Sequence, residues 1–151
     1  MSRAVIDTSV VMEYVDEAGD LHREAEALFH PILSGKLEAI IPHPILVEIY
    51  YVAARLYHEL GIEDPRNTSL RLIEWLYRLP TVSIVGEEMS LVIEAGVAKL
   101  DYGLALTDCY VLAASRIYDC KAVFKRVEKE MLGKIDDLKE RYQLLFLEAY
   151  K

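Results

Sequence analysis

Short apolar runs alternate with helical patterns along this chain, and that alternation restricts the possible folds most strongly. Runs with strand composition occur at four places: 4–6, 38–41, 81–85 and 121–124. A fifth candidate covers 142–147. Apolar residues recur at helical spacing in the segments between them: 21–33, 45–60, 65–79, 87–100 and 106–118. Strands that alternate with helices form a parallel sheet covered on both faces, so we predict an α/β fold.

The length and composition indicate a single globular domain over residues 1–151. No apolar segment reaches the roughly 18 uninterrupted residues that a membrane-spanning helix needs. Asp7 interrupts the only N-terminal apolar run, so we expect no signal peptide. The only cysteines, Cys109 and Cys120, make neither a disulfide framework nor a zinc set. These features predict a cytoplasmic protein that does not enter a membrane.

The net charge of −8 excludes one mode of nucleic-acid binding. Binding through a broadly basic surface requires an excess of positive charge to displace counterions, and this chain lacks it. A local nucleic-acid site remains compatible with the charge. The excess of carboxylates fits a solvated surface, an acidic patch for a basic partner, or a cluster that holds divalent cations.

One carboxylate lies inside the first apolar run, in the stretch RAVIDTSVVMEYV. Asp7 follows the predicted strand 4–6, where burial of an unpaired carboxylate would be costly. Ligands of parallel sheets bind at the carboxyl ends of the strands, which is where Asp7 stands. Taken alone, Asp7 is explained equally well as the N-cap of the next helix.

Two further carboxylates stand on apolar helical segments. Glu48 lies in PILVEIYYVA, where its neighbours make the helix apolar almost all round, as is typical of a buried helix. A glutamate in such a helix is seldom buried without a partner. Asp108 lies in LTDCYVLAAS, in the first turn of its helix, where the helix dipole alone would favour it.

Three carboxylates on three separate apolar elements, with no neighbouring Lys or Arg in sequence, indicate a bound cation. Carboxylate oxygens suit Mg²⁺ or Mn²⁺, which keep several waters and bind through a few carboxylates and a substrate phosphate. Without the cation, the like charges would raise one another's pKa values. The residues therefore predict a divalent-metal site formed by Asp7, Glu48 and Asp108.

The stretches VIDTSVVMEYV, PILVEIYYVAAR and KLDYGLALTDCYVLAAS resemble, in this order and spacing, the PIN domain family and most of all its VapC-type toxins. The resemblance covers nearly the whole chain. It implies a three-layer α/β/α sandwich with a central parallel sheet of four to five strands, and a metal-dependent ribonuclease site. By position it assigns the first three acids to Asp7, Glu48 and Asp108, and a supporting polar position to Ser9.

The fourth acidic position departs from the family pattern, in which a strand ends in Thr, any residue, then Asp. The corresponding stretch here, KAVFKRVEKEM, has neither residue. We assign the position to Glu128, with Glu130 as the second choice; the alternative is that both lie on a solvated charged segment. Asp101 suits turn chemistry and Asp119 a helix end, so we leave both outside the site.

The resemblance implies an endoribonuclease that hydrolyses RNA with Mg²⁺ or Mn²⁺, the toxin of a type II toxin–antitoxin pair. It also implies a small antitoxin that fills the acidic groove, and a homodimer. Four basic residues are candidates to hold RNA unless they are merely solvated: Lys99, Arg116, Lys125 and Arg126. Five apolar residues either form the dimer surface or fill the core: Tyr50, Tyr51, Leu72, Trp75 and Leu76.

A second hypothesis is a catalytically weak PIN-like module that binds RNA or protein, which the altered fourth position favours slightly. A phosphoryl-transfer receiver or phosphatase fits poorly, because the chain lacks the second early aspartate of the Asp-x-Asp pattern.

Overall fold

The structure, a computed structural model, describes residues 1–151. Its five strands are β1 (Ser2–Ile6), β2 (Leu37–Pro42), β3 (Val82–Val85), β4 (Lys121–Phe124) and β5 (Leu144–Phe146). Its seven α-helices are α1 (Thr8–Val15), α2 (His22–Leu33), α3 (His43–Glu59), α4 (Pro65–Arg78), α5 (Met89–Tyr102), α6 (Leu106–Ile117) and α7 (Ile135–Arg141). Two 3₁₀ helices cover Lys129–Lys134 and Leu147–Tyr150.

All five strands are parallel and form one sheet in the order β3-β2-β1-β4-β5. The chain therefore builds outward from β1 to β3 on one side, then crosses back and continues with β4 and β5 on the other. Strand order reverses between β1 and β4, and at such a point the connections leave in opposite directions and open a crevice. The predicted parallel sheet with four to five strands is confirmed, and helices flank it as in an α/β/α sandwich.

The central strands are buried because helices cover both of their faces. Val5 and Ile6 in β1 are inaccessible to solvent, as are Ala122 and Phe124 in β4. Such runs show no alternation of polar and apolar residues, which is typical of parallel strands. The crevice therefore borders an interior from which water is excluded. Polar groups that point into it from the strand ends need hydrogen-bond partners or a bound ion.

Helix α3 differs from its prediction. The sequence indicated a helix buried almost all round, but α3 buries one face, with Ile45 and Ile49 in the core, and exposes Val47 and Tyr51. The helix lies in the outer layer, where α4, α1 and α6 pack against it and leave the remaining face to solvent. For that reason the burial of α3 is lower than its apolar composition predicts.

The five apolar residues considered for a dimer surface divide between core and surface. Leu72 and Leu76 are buried in the core, and Trp75 stacks on Phe29 within the chain. Only Tyr50 and Tyr51 are exposed.

None of the helices is both long enough and apolar enough to cross a bilayer.

Candidate metal centre

Asp7 occupies the point where β1 passes into α1. Its backbone is extended, and its Oδ2 accepts hydrogen bonds from the Ser9 backbone N–H at 3.1 Å and the Ser9 hydroxyl at 2.6 Å. The side chain is only 2% exposed, and its other oxygen, Oδ1, has no hydrogen-bond partner. Asp7 is thus the helix cap that the sequence allowed, but capping uses one oxygen and leaves the second buried and unsatisfied.

Ser9 connects the two strands that border the crevice. While its hydroxyl donates to Asp7, it accepts a hydrogen bond from the Lys125 backbone N–H at 3.0 Å, just beyond the end of β4. The Asp7 backbone N–H also donates to the Val123 carbonyl at 3.0 Å. The orientation of the Asp7 carboxylate is therefore fixed from both β1 and β4.

Asp108 approaches the same point from the first turn of α6. Its side chain is 4% exposed, and Oδ2 is buried without a hydrogen-bond partner. A carboxylate that only complemented the helix dipole would remain in solvent. The burial and the unpaired oxygen indicate that α6 directs this side chain towards a group other than water.

Glu128 completes a compact carboxylate cluster. It is the residue before the 3₁₀ helix Lys129–Lys134, its side chain does not cap that helix, and it is half-buried. One carboxylate oxygen from each of Asp7, Asp108 and Glu128 lies within 4.8 Å of the other two. Glu130 lies within the 3₁₀ helix and is exposed. The structure therefore brings the first choice for the fourth position to the cluster and leaves the second choice outside.

Glu48 stands beside the cluster without joining its closest group. It is half-buried on α3, and its Oε2 accepts a hydrogen bond from the Thr107 hydroxyl at 3.3 Å. Glu48, Asp7 and Glu128 line one open cleft of about 560 Å³. Its charge contributes to raising the pKa values of Asp7 and Asp108. Glu48 can therefore reach a group in the cleft while it stays outside the three-carboxylate cluster.

Burial and mutual repulsion disfavour the charged state of the two buried aspartates. Burial raises the pKa of Asp7 from 3.8 to about 7, with further contributions from Glu128 and Glu48, and the Ser9 hydrogen bonds oppose the rise. Burial, and next the adjoining Glu128 carboxyl, raises the pKa of Asp108 above its ordinary value of 3.8. A cation at the cluster would reverse this preference by neutralising the carboxylates.

These donors match a hard divalent cation. All the donor atoms are carboxylate oxygens, which suit Mg²⁺ or Mn²⁺ better than zinc or copper. Two of the carboxylates contribute a buried oxygen with no partner in the protein. The open cleft leaves room for water and substrate oxygens, which Mg²⁺ retains in most protein sites.

An ion pair between a buried glutamate and a half-buried lysine lies beside the cluster and was not predicted from the sequence. Glu13, 5% exposed, accepts a hydrogen bond from the Leu21 N–H at 2.6 Å and contacts the Lys125 ammonium at 2.9 Å. A Cβ at Gly19 would lie 2.4 Å from the Glu13 carboxylate, so glycine allows this close approach. The partners are 112 residues apart, and only the fold brings them together.

The four basic residues proposed to hold RNA all contact other groups of the chain. Lys125 pairs with Glu13 and Asp20, and Arg126 with Asp20 at 2.8 Å. Arg116 lies 4.0 Å from Glu94, and Lys99 donates to the Leu104 carbonyl.

The two aspartates that the sequence analysis set aside lie outside the cluster. Asp101 pairs with Arg141 at 2.8 Å, and Asp119 accepts a hydrogen bond from Gln143 at 2.8 Å.

Comparisons with known proteins agree with this architecture. The model of the PIN domain family matches residues 4–126. No curated protein shows significant sequence similarity to the chain. Among solved structures, the chain is similar to a toxin–antitoxin complex from Klebsiella pneumoniae, with a TM-score of 0.60, 16% identity, and coverage of 95% of this chain and 97% of that one.

Two further structures resemble the chain to a similar degree. One is DNA-bound VapBC from Salmonella typhimurium, with a TM-score of 0.66, 12% identity, and coverage of 97% of this chain and 99% of that one. The other is VapC20 from Mycobacterium tuberculosis, a toxin that cleaves the sarcin–ricin loop, with a TM-score of 0.64, 11% identity, and coverage of 87% and 95%. At these identities the likeness shows a shared fold.

The raised pKa of Asp7 predicts how the stability of the metal-free protein depends on pH. A carboxyl with a higher pKa in the folded state than in the unfolded state stabilises the fold below its unfolded pKa, near 3.8, and that contribution is lost as the pH rises through about 7. We expect the melting temperature in chelator to fall between about pH 4 and pH 7. Asp7→Asn should reduce this fall and raise the melting temperature at the alkaline end.

The matched control for this measurement is Glu130→Gln, which removes an exposed carboxylate outside the cluster. Its melting profile should follow that of the unaltered protein. Added Mg²⁺ should raise the melting temperature of the unaltered protein most at alkaline pH and have little effect on the Asp7→Asn variant. A melting temperature of the unaltered protein that does not change with pH in chelator would contradict the proposed destabilisation by the charged Asp7 carboxylate.

Proposed function

The chain belongs to the PIN domain family, and from this premise we propose that it is a metal-dependent endoribonuclease that hydrolyses RNA phosphodiester bonds. The observation that carries the proposal is the cluster of Asp7, Asp108 and Glu128, contributed by three separate elements at the edge where strand order reverses. Family members are generally nucleases, and a cluster of this kind is what phosphodiester hydrolysis with a metal ion requires.

We propose Mg²⁺ or Mn²⁺ as the cofactor, held by Asp7, Asp108 and Glu128, with Glu48 as a ligand from the cleft side, directly or through water. When bound, such an ion polarises phosphate oxygens and lowers the pKa of a coordinated water. Either ion satisfies the oxygen donors present, and the cleft accommodates one ion or two.

The residues around the cluster have distinct roles in this proposal. Asp7 is held in a fixed orientation, because Ser9 binds one of its oxygens and leaves the other without a partner in the protein. Ser9 is a positioning residue, because its hydroxyl fixes the orientation of the Asp7 carboxylate. The half-buried Glu128 and Glu48 border the open cleft, where each can accept a proton from a water directed at the phosphate.

We further propose that the protein is the toxin of a type II toxin–antitoxin pair in the cytoplasm, with residues 1–151 acting as one domain. The similar structures from Klebsiella and Salmonella are of toxin–antitoxin complexes. An antitoxin segment with a basic side chain would satisfy the unpaired carboxylate oxygens as a cation does, and so block the site. The cysteines Cys109 and Cys120 are unpaired and buried, which suits a reducing compartment.

The homodimer is proposed on a different surface from the one considered in the sequence. Helix α5 exposes apolar side chains along one stripe, three, four and eleven residues after the first: Met89, Val92, Ile93 and Leu100. Gly96 lies within this stripe and would let a second helix approach closely. An exposed apolar stripe of this length is typical of a contact with another protein surface.

A charged substitution in the α5 stripe tests the dimer. Ile93→Glu should convert a dimer into a monomer in light scattering without lowering the helical content, because the side chain is 59% exposed. Leu70→Glu, on an exposed position of α4, is the matched control and should leave the mass unchanged. A monomeric unaltered protein, or a dimer that survives Ile93→Glu, would contradict the assignment of this surface.

Cleavage of a mixed pool of structured RNAs tests the ribonuclease. With Mg²⁺ or Mn²⁺, Asp7→Asn, Asp108→Asn and Glu128→Gln should each lower the cleavage rate by about 100-fold or more, and chelator should abolish it. Glu48→Gln should lower it too, and Ser9→Ala should do so by about tenfold through weaker metal binding. The isosteric variants keep side-chain volume, so folding can be verified by melting.

The controls for cleavage are Glu130→Gln and Asp101→Asn, which should retain full activity. Cleavage that survives Asp7→Asn or chelator would contradict the metal site. If no RNA is cleaved and no metal is taken up, the protein is instead a catalytically weak RNA- or protein-binding module. The altered sequence at the fourth position favours that alternative, whereas the presence of Glu128 in the cluster supports the ribonuclease.

A further inference from the structure

Arg55 is the one cationic side chain at the carboxylate cleft that no carboxylate neutralises. The cleft is lined by six acidic residues and two basic ones, Lys125 and Arg55. The Lys125 ammonium is held by Glu13 at 2.9 Å and by Asp20 at 3.5 Å. Arg55 forms no ion pair with any residue of the chain. Its guanidinium is therefore available to an anion that enters the cleft.

A second cleft, of about 630 Å³, adjoins the first at Arg55 and Glu59, which line both. Unlike the first cleft it has an aromatic wall, formed by Tyr50 and Tyr51 on α3, which are 37% and 42% exposed. The Arg55 guanidinium carbon lies 5.0 Å from the centre of the Tyr51 ring. The cation and the ring are thus held together at the junction of the two clefts.

The far side of the second cleft carries another guanidinium. Arg66, in the first turn of α4, lines the cleft and forms no ion pair. Two carboxylates also line it, Glu59 and Asp64, and Asp64 caps α4 by accepting from the Asn67 N–H at 3.3 Å. The cleft therefore has no strongly positive field. An anion would be held by direct contact with a guanidinium group and not by long-range attraction.

An exposed tyrosine ring beside an unpaired arginine is the pair of groups that binds one nucleotide of a single strand. Bases stack on aromatic rings whatever their identity, and arginine binds the backbone phosphate. A bound peptide segment could use the tyrosine ring through stacking or apolar contact, but it would not use the two guanidinium groups at the edges of this cleft as a phosphate chain would. The combination favours a nucleotide over a peptide segment.

We propose that Tyr51 and Arg55 form a subsite for the nucleotide next to the scissile phosphate, with the base stacked on Tyr51 and its phosphate bound by Arg55. Arg66 then binds the phosphate that follows. This assignment rests on the proposed ribonuclease function in one respect, that the scissile phosphate lies at the carboxylate cluster. The strand runs from the cluster along α3 into the second cleft, and the acidic protein thereby holds an anionic substrate through two local cations.

Binding of a short single-stranded RNA oligonucleotide, followed by fluorescence anisotropy, tests the subsite. The measurement uses the full chain with Asp7→Asn and Mg²⁺, so that the oligonucleotide stays intact. Added to this variant, Tyr51→Leu should weaken binding about tenfold through lost stacking. Arg55→Gln should weaken binding by a similar factor and make the slope of log affinity against log salt shallower by about 0.7, the value for one phosphate contact on a single strand.

The chain offers matched controls on α4. Tyr77→Leu and Arg71→Gln change an exposed tyrosine and an exposed, unpaired arginine that line neither cleft, and each should leave affinity within about twofold. In otherwise unaltered protein, Arg55→Gln should raise KM for RNA cleavage with little change in kcat, because the contact exists before and during the reaction.

The outcomes separate this subsite from the ribonuclease proposal. Loss of binding in Tyr51→Leu and Arg55→Gln supports the subsite even if no RNA is ever cleaved. Unchanged binding in both variants, while the unaltered protein cleaves RNA, overturns the subsite and leaves the ribonuclease standing. Failure of the Asp7→Asn parent to bind the oligonucleotide overturns the subsite. A change in oligomeric mass on Tyr51→Leu, without a change in RNA affinity, would make this face an interface between copies and also overturn the subsite.

Discussion

Repulsion between carboxylates that the fold forces together is the constraint on which the rest of this structure depends. Asp7 and Asp108 are almost inaccessible to solvent, and an oxygen of Glu128 lies within 4.8 Å of both. No lysine or arginine contacts these three carboxylates. Such a cluster is unfavourable in a bare protein and favourable once a divalent cation binds, so the folded chain is prepared for a ligand that it does not itself supply.

The surroundings of the cluster make this arrangement possible. Ser9 holds Asp7 from one side and receives the Lys125 N–H from the other, so the ends of β1 and β4 are linked through one hydroxyl. The ammonium of Lys125 turns away to the buried Glu13. Lys125 thereby stabilises the frame of the site without neutralising it. Loss of the Lys125 ammonium would leave the buried Glu13 carboxylate without its cation and destabilise the fold, so this frame and the fold are coupled.

The sequence predicts the fold and part of the site well, because both depend on local signals. Alternating strands and helices specify the parallel sheet, and Asp7 is recognisable because it directly follows a buried strand. Asp108 was placed correctly in the first turn of its helix. Whether Glu128 or Glu130 reaches the cluster depends on the direction of the backbone after β4, and the structure brings only Glu128 to it.

The remaining features arise from tertiary packing, which no local pattern reports. Composition cannot tell which face of α3 its neighbours leave uncovered, so Tyr51 and Arg55 were not recognised as neighbours at the junction of two clefts. The pairing of Glu13 with Lys125 joins distant parts of the chain for the same reason. The basic residues near the motifs contact carboxylates and a carbonyl from other parts of the chain, and the sequence does not report those partners.

The most direct test of the central claim is anomalous diffraction from crystals of the full chain soaked in Mn²⁺. The account predicts a manganese peak bounded by oxygens of Asp7, Asp108 and Glu128, with Glu48 on the cleft side, and no such peak in Asp108→Asn crystals. A peak at other residues, or none at saturating Mn²⁺ with the three carboxylates still together, would contradict it.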